Sequence, residues 1–164
     1  MIDEIPYFED EQSKLIPGQP MVERDTINAI LRNPITDEYL CLDWQKFGWK
    51  TFVIGGIEVG EDPILAAKRE IEEETGYTGI KFIKKIGKTR SGYYAAHKKE
   101  NRISNATALL FELITSEQKS TQKSETLHHT LAWIPKERVA SFINLSSQQY
   151  IWNKVLVFLS NSKI

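Results

Sequence analysis

The chain has a single cysteine, no long apolar run and almost no net charge, and each of these shortages removes a class of protein. Cys41 cannot form an intrachain disulfide, so a disulfide-stapled scaffold is excluded. Its expected role is to fill the core from the strand-like segment 39–44. No apolar stretch approaches the ~18 residues of a membrane-crossing helix. Residues 1–20 are acidic and contain proline, without the basic start and apolar run of a signal peptide. A cytoplasmic protein with no membrane partner is therefore expected. A formal net charge of −1 gives no general attraction to nucleic acid or anionic lipid and leaves only local patches. There is no internal repeat and no clear linker, and 164 residues suit one hydrophobic core.

The elements that remain read as an α/β chain. Residues 1–20, with Pro6, Pro17, Gly18 and Pro20, form a polar arm expected to be irregular or loosely packed, followed by a single domain over 21–164. Residues 22–31 read as a long strand, Asn33-Pro34 as a turn, and 39–44 as a hairpin partner. Further strands are expected at 80–87, 103–114 and 130–134, with Arg90 to Arg102 in a loop between the first two. Pro135 is expected to open a short helix ending at Phe142, and residues 147–159 an amphipathic helix that closes the domain.

The most informative run is Gly55 to Tyr77, GGIEVGEDPILAAKREIEEETGY. Thr51 to Ile54 is β-prone and apolar, the paired glycines break it, and Asp62 with Pro63 makes a good helix start. Ile64, Ala67, Ile71 and Thr75 form the expected buried stripe, and Gly76 stands where a left-handed C-terminal residue is wanted. Glu70, Glu73 and Glu74, at i, i+3 and i+4, share one face. Like charges at this spacing cost about 0.2–0.5 kcal/mol per pair in an isolated helix. The cluster is therefore either a solvated acidic surface or a site for a hard divalent cation. The glycines read either as an ordinary turn or as backbone that must pass close to a ligand.

The flanking residues separate these readings. Five residues stand between Gly55 and Glu61, seven between Glu61 and Arg69, and the run closes with Arg69, Glu70, Ile71, Glu73, Glu74, Gly76 and Tyr77 in fixed register. This resembles the signature of the Nudix hydrolases at every fixed position, except that the last, usually aliphatic, is Tyr77. The resemblance extends over about residues 22–160. It implies an α/β/α sandwich with a mixed sheet, and a magnesium- or manganese-dependent pyrophosphohydrolase that cleaves a diphosphate linkage in a nucleoside diphosphate derivative.

The same resemblance implies that Glu70, Glu73, Glu74 and the Gly56 carbonyl bind the metal, and that Arg69 pairs with a glutamate of the run. It leaves Glu70 or Glu74 as the group orienting the attacking water. Relatives also place an acidic base in a loop before the last core strand, where Glu125 is the first candidate here and Glu112 the second. The position just before the strand bearing Trp133 holds His128 or His129 instead, expected as exposed loop residues, with water activation or a phosphate contact as the functional alternatives. Glu61 is expected to support the loop.

For substrate, Tyr93 and Tyr94 stand where diadenosine polyphosphate hydrolases of the family place a tyrosine, and the family's motifs for NADH and ADP-ribose are not evident. Dinucleoside polyphosphates are thus favoured, with an RNA 5′ end and a non-catalytic nucleotide sensor as alternatives. Arg90 and the basic residues between Lys81 and Arg102 read as a solvated strand edge or a phosphate contact, and Trp49, with Trp44 and Phe47, as core or as a stacking surface for a base. The arm is a candidate exchange element for a homodimer.

Overall fold

A computed structural model of the chain describes residues 4–121 and 129–162. Its centre is the parallel pair β2 (Met21–Asn33) and β7 (Glu100–Leu113), in register from Met21 opposite Asn101 to Arg32 opposite Glu112. The apolar run 27–31 explains this position. Buried on both faces, it sends Ile27, Ala29 and Leu31 to one side of the sheet and Ile30 to the other. β6 (Ile80–Ala95) lies antiparallel to β7, and β1 (Tyr7–Phe8) runs parallel to its far end. On the opposite flank, β2 pairs with β5 (Val53–Gly56) and, at its end, with β3 (Glu38–Trp44). β3 in turn carries β4 (Trp49–Thr51) and β8 (His129–Pro135). The sheet is mixed, as expected.

One face is covered by α1 (Pro63–Thr75), whose Ala66, Ala67 and Ile71 pack on Leu40, Val53, Leu109 and Phe111. Its ends follow the sequence signals. The Asp62 carboxylate accepts from the Ile64 and Leu65 amides at 3.0 and 3.3 Å, and Gly76 takes the left-handed conformation at φ 81°. The other face is covered by α2 (Val139–Phe142) and α3 (Ser146–Asn161), with Trp152 edge-on to Tyr39 at 4.7 Å. Cys41 is buried in this second cluster, where burial pushes its thiol up to about 12.

Pro135 ends β8 and caps a 3-10 turn, Lys136–Arg138, that runs into α2, so the short helix expected between Pro135 and Phe142 is present. Two expectations change. Residues 90–95 and 100–102 are not loop: β6 and β7 form one long hairpin that turns over residues 96–99. The polar residues of this stretch belong to strands because alternate ones face a cavity rather than a core. The arm is fastened, not loose. Asp10 accepts from the Ser146 amide at the start of α3, and Asn101 bonds both the amide and the carbonyl of Ile16, at 2.8 and 2.7 Å.

Lys81, Lys84, Lys85 and Lys88 are exposed on the part of β6 that pairs only with β7, where lysines discourage the addition of another strand. Among the described residues no helix is long and apolar enough to cross a membrane.

Candidate active site

The acidic face of α1 is not solvated. Glu70 and Glu74 are each only 3% exposed, while Glu73 remains more open at the edge. Buried carboxylates need partners, and Arg69 supplies several. Its guanidinium forks onto Glu61 with two bonds of 2.9 Å, and reaches Glu70 at 2.9 Å, Glu73 at 3.2 Å and the Gly56 carbonyl at 2.9 Å. One cation therefore ties the β5 loop to the helix. Arg69, and then the Glu58 amide, hold the Glu61 carboxyl down at about 2, which keeps it ionised as the anchor of this fork.

The paired glycines have separate reasons. A Cβ on Gly55 would overlap the Glu70 carboxyl, and a Cβ on Gly56 would overlap the guanidinium of Arg24. Glycine here lets a carboxylate and a cation lie directly against strand backbone.

His129 departs from the expected exposed loop. It opens β8, opposite Trp44 in the β3–β8 register, and packs on that ring edge-on at 4.7 Å. Its Nε2 lies 2.5 Å from Glu74 Oε2, and its Nδ1 is buried with no partner among the described residues. The ring stands behind Glu74 and is not part of the cavity wall. Glu125 and His128 lie outside the described residues. Glu112 is engaged elsewhere, 3.0 Å from Arg32.

Glu70, Glu73, Glu74, Arg69 and Gly56 all face one cavity of about 610 Å³. Its floor is three neighbouring strands, whose alternate residues stack in rows because side chains repeat every second position. The register places Thr26, Ala106 and Thr89 in one row, Arg24, Ser104 and Ser91 in the next, and Arg102 with Tyr93 in the one beyond. Asn28 lies one row deeper than Thr26.

At the outer end Trp49 stands edge-on to Tyr93 at 5.3 Å, and Phe47 lies 5.2 Å from His97. Burial, then the charges of Lys98, Arg102 and Lys46, press the His97 pKa below its ordinary value, a sign of positive potential at this mouth.

Of the residues expected to meet substrate, Tyr93 and Trp49 line the cavity, whereas Tyr94 and Arg90 do not. Strand alternation separates Tyr94 from Tyr93, and Arg90 pairs with Glu23 at 3.1 Å. Lys98 and Arg102, of the basic stretch read as a possible phosphate contact, line the cavity, and so do Arg24, Asn28, His97 and Gln148, which were not expected there. For Asn28 a signal existed: it is polar within a run, 27–31, that is otherwise apolar.

The donor set suits a hard divalent cation, since it consists of carboxylate oxygens and a backbone carbonyl around one cavity wall. Among the described residues no three carboxylate or imidazole side chains already close around one point. Magnesium does not require such a cage, because it keeps several waters and takes one or two carboxylates together with substrate phosphates. Glu73 and Glu74, with Glu70 and the Gly56 carbonyl beside them, fit that pattern.

A family model described as NUDIX domain matches residues 23–153. In sequence the chain is similar to a protein named RNA pyrophosphohydrolase from Bartonella quintana (strain Toulouse), with 29% identity over 115 residues. That match covers 62% of this chain and 65% of the relative, just under two thirds of its length. In structure the chain is similar to a C. elegans Ap4A hydrolase in a binary complex, with a TM-score of 0.64 and 19% identity over 86% of this chain and 99% of that one. It is also similar to the E. coli dihydroneopterin triphosphate pyrophosphohydrolase, with a TM-score of 0.62 and 16% identity over 84% and 99%. At these identities the structural likeness speaks for the α/β/α fold alone. The sequence match takes in the whole run from Gly55 to Tyr77 and most of the sheet around it, and by it the chain belongs to the Nudix family.

Proposed function

We propose that the chain is a cytoplasmic, magnesium- or manganese-dependent hydrolase that cleaves a diphosphate linkage in a nucleoside diphosphate derivative, with dinucleoside polyphosphates first among the candidates. One observation carries the reading. The buried carboxylates of α1 share a cavity with Arg24, Lys98 and Arg102, so cation-binding oxygens and phosphate-binding cations face the same space. A pyrophosphate bridge carries several negative oxygens and water is a weak nucleophile at neutral pH. A metal bound by Glu70, Glu73, Glu74 and the Gly56 carbonyl would acidify a water and draw charge from a phosphoryl oxygen.

The chain's own groups account for the rest. Arg69 fixes the carboxyls of Glu70 and Glu73 and the carbonyl of Gly56 in relation to one another. Arg24, lying across Gly56 and lining the same cavity, is placed to meet a phosphate beside those carboxylates. Trp49 and Tyr93 offer ring faces for a base at the mouth. Glu70 or Glu74 is the candidate for orienting water, and Glu125 keeps that candidacy from the sequence.

An RNA 5′ end is the second reading. It is supported by the name of the Bartonella relative and by the exposed lysines of β6.

Chromatography of the products formed in magnesium tests both readings, with diadenosine polyphosphates, nucleotide sugars, nucleoside triphosphates and 5′-triphosphorylated RNA as substrates. Turnover of one class is expected, and Glu73→Gln or Glu74→Gln is expected to cut it by orders of magnitude while leaving the circular dichroism spectrum unchanged. Wild-type rates in both variants would overturn the assignment.

A further inference from the structure

The inner end of the cavity holds a chain of amides whose orientation is set by the backbone. The Phe52 N–H donates to Gln148 Oε1 at 2.9 Å. A peptide N–H can only donate, so the atom it meets is the oxygen of Gln148, and the other end of that amide is the nitrogen. Gln148 Nε2 then donates to Asn28 Oδ1 at 2.8 Å. This leaves the Asn28 Nδ2 group directed at the cavity that the residue lines, and among the described residues it donates to no protein group. Asn28 is 5% exposed and Gln148 2%, and what exposure the Asn28 amide keeps opens on the cavity, so its donor pair is held in a fixed direction and is available to a group that binds there.

We propose that this inner end seats one nucleobase of the substrate, the mouth with Trp49 and Tyr93 being left to the second base of a dinucleoside polyphosphate, and that Asn28 donates from Nδ2 to an acceptor on the edge of the inner base, a ring nitrogen or a carbonyl oxygen. The proposal rests on the diphosphate reading of the same cavity.

Its geometry follows the strand. Asn28 and Arg24 are four residues apart on β2, about 13 Å at the usual rise. A nucleoside bearing two phosphates bridges that separation, with its base beside Asn28 and its phosphates beside Arg24 and Gly56. The floor between them carries Thr26 and Thr89, whose hydroxyls suit a ribose. The relay gives the seat a fixed polarity, because the Asn28 amide cannot turn over without setting its Nδ2 donor against the Nε2 donor of Gln148. An acceptor on the ligand is welcomed and a donor at the same point is refused.

The test is calorimetric titration with ADP, GDP, UDP, CDP and inorganic pyrophosphate in magnesium, on the Glu74→Gln background so that turnover does not intervene. At least one nucleoside diphosphate is expected to bind roughly tenfold more tightly than pyrophosphate. Adding Asn28→Asp, which replaces donors by an acceptor at nearly constant volume, is expected to bring that ligand down to the pyrophosphate level while pyrophosphate itself is unaffected. Equal binding with and without the substitution, or no nucleoside diphosphate above pyrophosphate, would overturn the seat.

Should the doubly substituted chain fail to fold, the Asn28 side-chain amide signals of the wild-type chain give the answer by NMR. A shift with a nucleoside diphosphate and not with pyrophosphate supports the seat, and no shift with either overturns it. Base-dependent binding without any metal-dependent turnover would sink the hydrolase reading and leave the seat standing.

Discussion

His129 Nε2 lies 2.5 Å from Glu74 Oε2, and both side chains are withdrawn from solvent. Among the described residues Nδ1 is buried without a partner, and Nε2 is the nitrogen through which this imidazole meets Glu74. It fixes one oxygen of Glu74 from behind, a positioning role of the kind that supports metal-binding carboxylates. His129→Leu is expected to lower kcat roughly 10- to 100-fold with a smaller change in KM. It should also cost about 1–3 kcal/mol of stability by leaving a buried oxygen short of a donor. His129→Gln, which keeps a donor, should recover part of both. Steady-state kinetics on the two variants, with urea midpoints, check this, and equal kcat in all three chains would remove the role.

Gly55 is a second point where one atom decides the outcome. A Cβ there overlaps the Glu70 carboxyl, which Arg69 holds from the other side. Gly55→Ala is expected to cost about 1–3 kcal/mol and to move Glu70 away from the cavity wall. Metal affinity, measured by titration of the folded variant, should fall along with activity. A variant as stable and as active as the wild type would mean that Glu70 can shift without consequence.

How much of this was legible depends on whether the signal was local. The start and end of α1 were, because Asp62, Pro63 and Gly76 act on neighbours a few residues away. The long β6–β7 hairpin was not, since Arg90, Ser91 and Arg102 are polar and polarity in a short window reads as loop. Ser91 and Arg102 lie in strands because one face of that hairpin is the floor of a cavity, and Arg90 is on its exposed face, paired with Glu23. His129 was illegible for a different reason: it meets Glu74 only through the pairing of β8 with β3, across 55 residues of sequence. The arm was misjudged likewise, because Asp10 finds the Ser146 amide 136 residues away.

The fork between Arg69 and Glu61 makes a prediction in acid. The Glu61 carboxyl is held down at about 2, below its ordinary value of 4.5, so folding favours its ionised form. The contribution is complete above pH 4.5 and is lost as pH falls through about 2. Glu61→Gln removes the group that titrates. The stability gap between wild type and variant, followed by urea unfolding at a series of pH values, should therefore narrow steadily below pH 4.5. A gap that stays constant down to the acid limit would show that the fork is not what ionisation of Glu61 sustains.

Tyr93 and Tyr94 are adjacent in sequence and differ in what they face, so the pair makes its own control. Tyr93 lines the cavity and meets Trp49 at 5.3 Å, whereas Tyr94 is turned away from the cavity by strand alternation. Loss of a base-stacking ring costs about 1–3 kcal/mol. Tyr93→Ala should therefore raise KM for a nucleotide substrate at least several-fold, with kcat changed less, because stacking holds ground state and transition state alike. Tyr94→Ala should leave KM near the wild-type value, and any effect should be seen in thermal stability. The opposite order, a KM effect at Tyr94 and none at Tyr93, would place the substrate on the other face of the hairpin and would remove the cavity from the proposed function altogether.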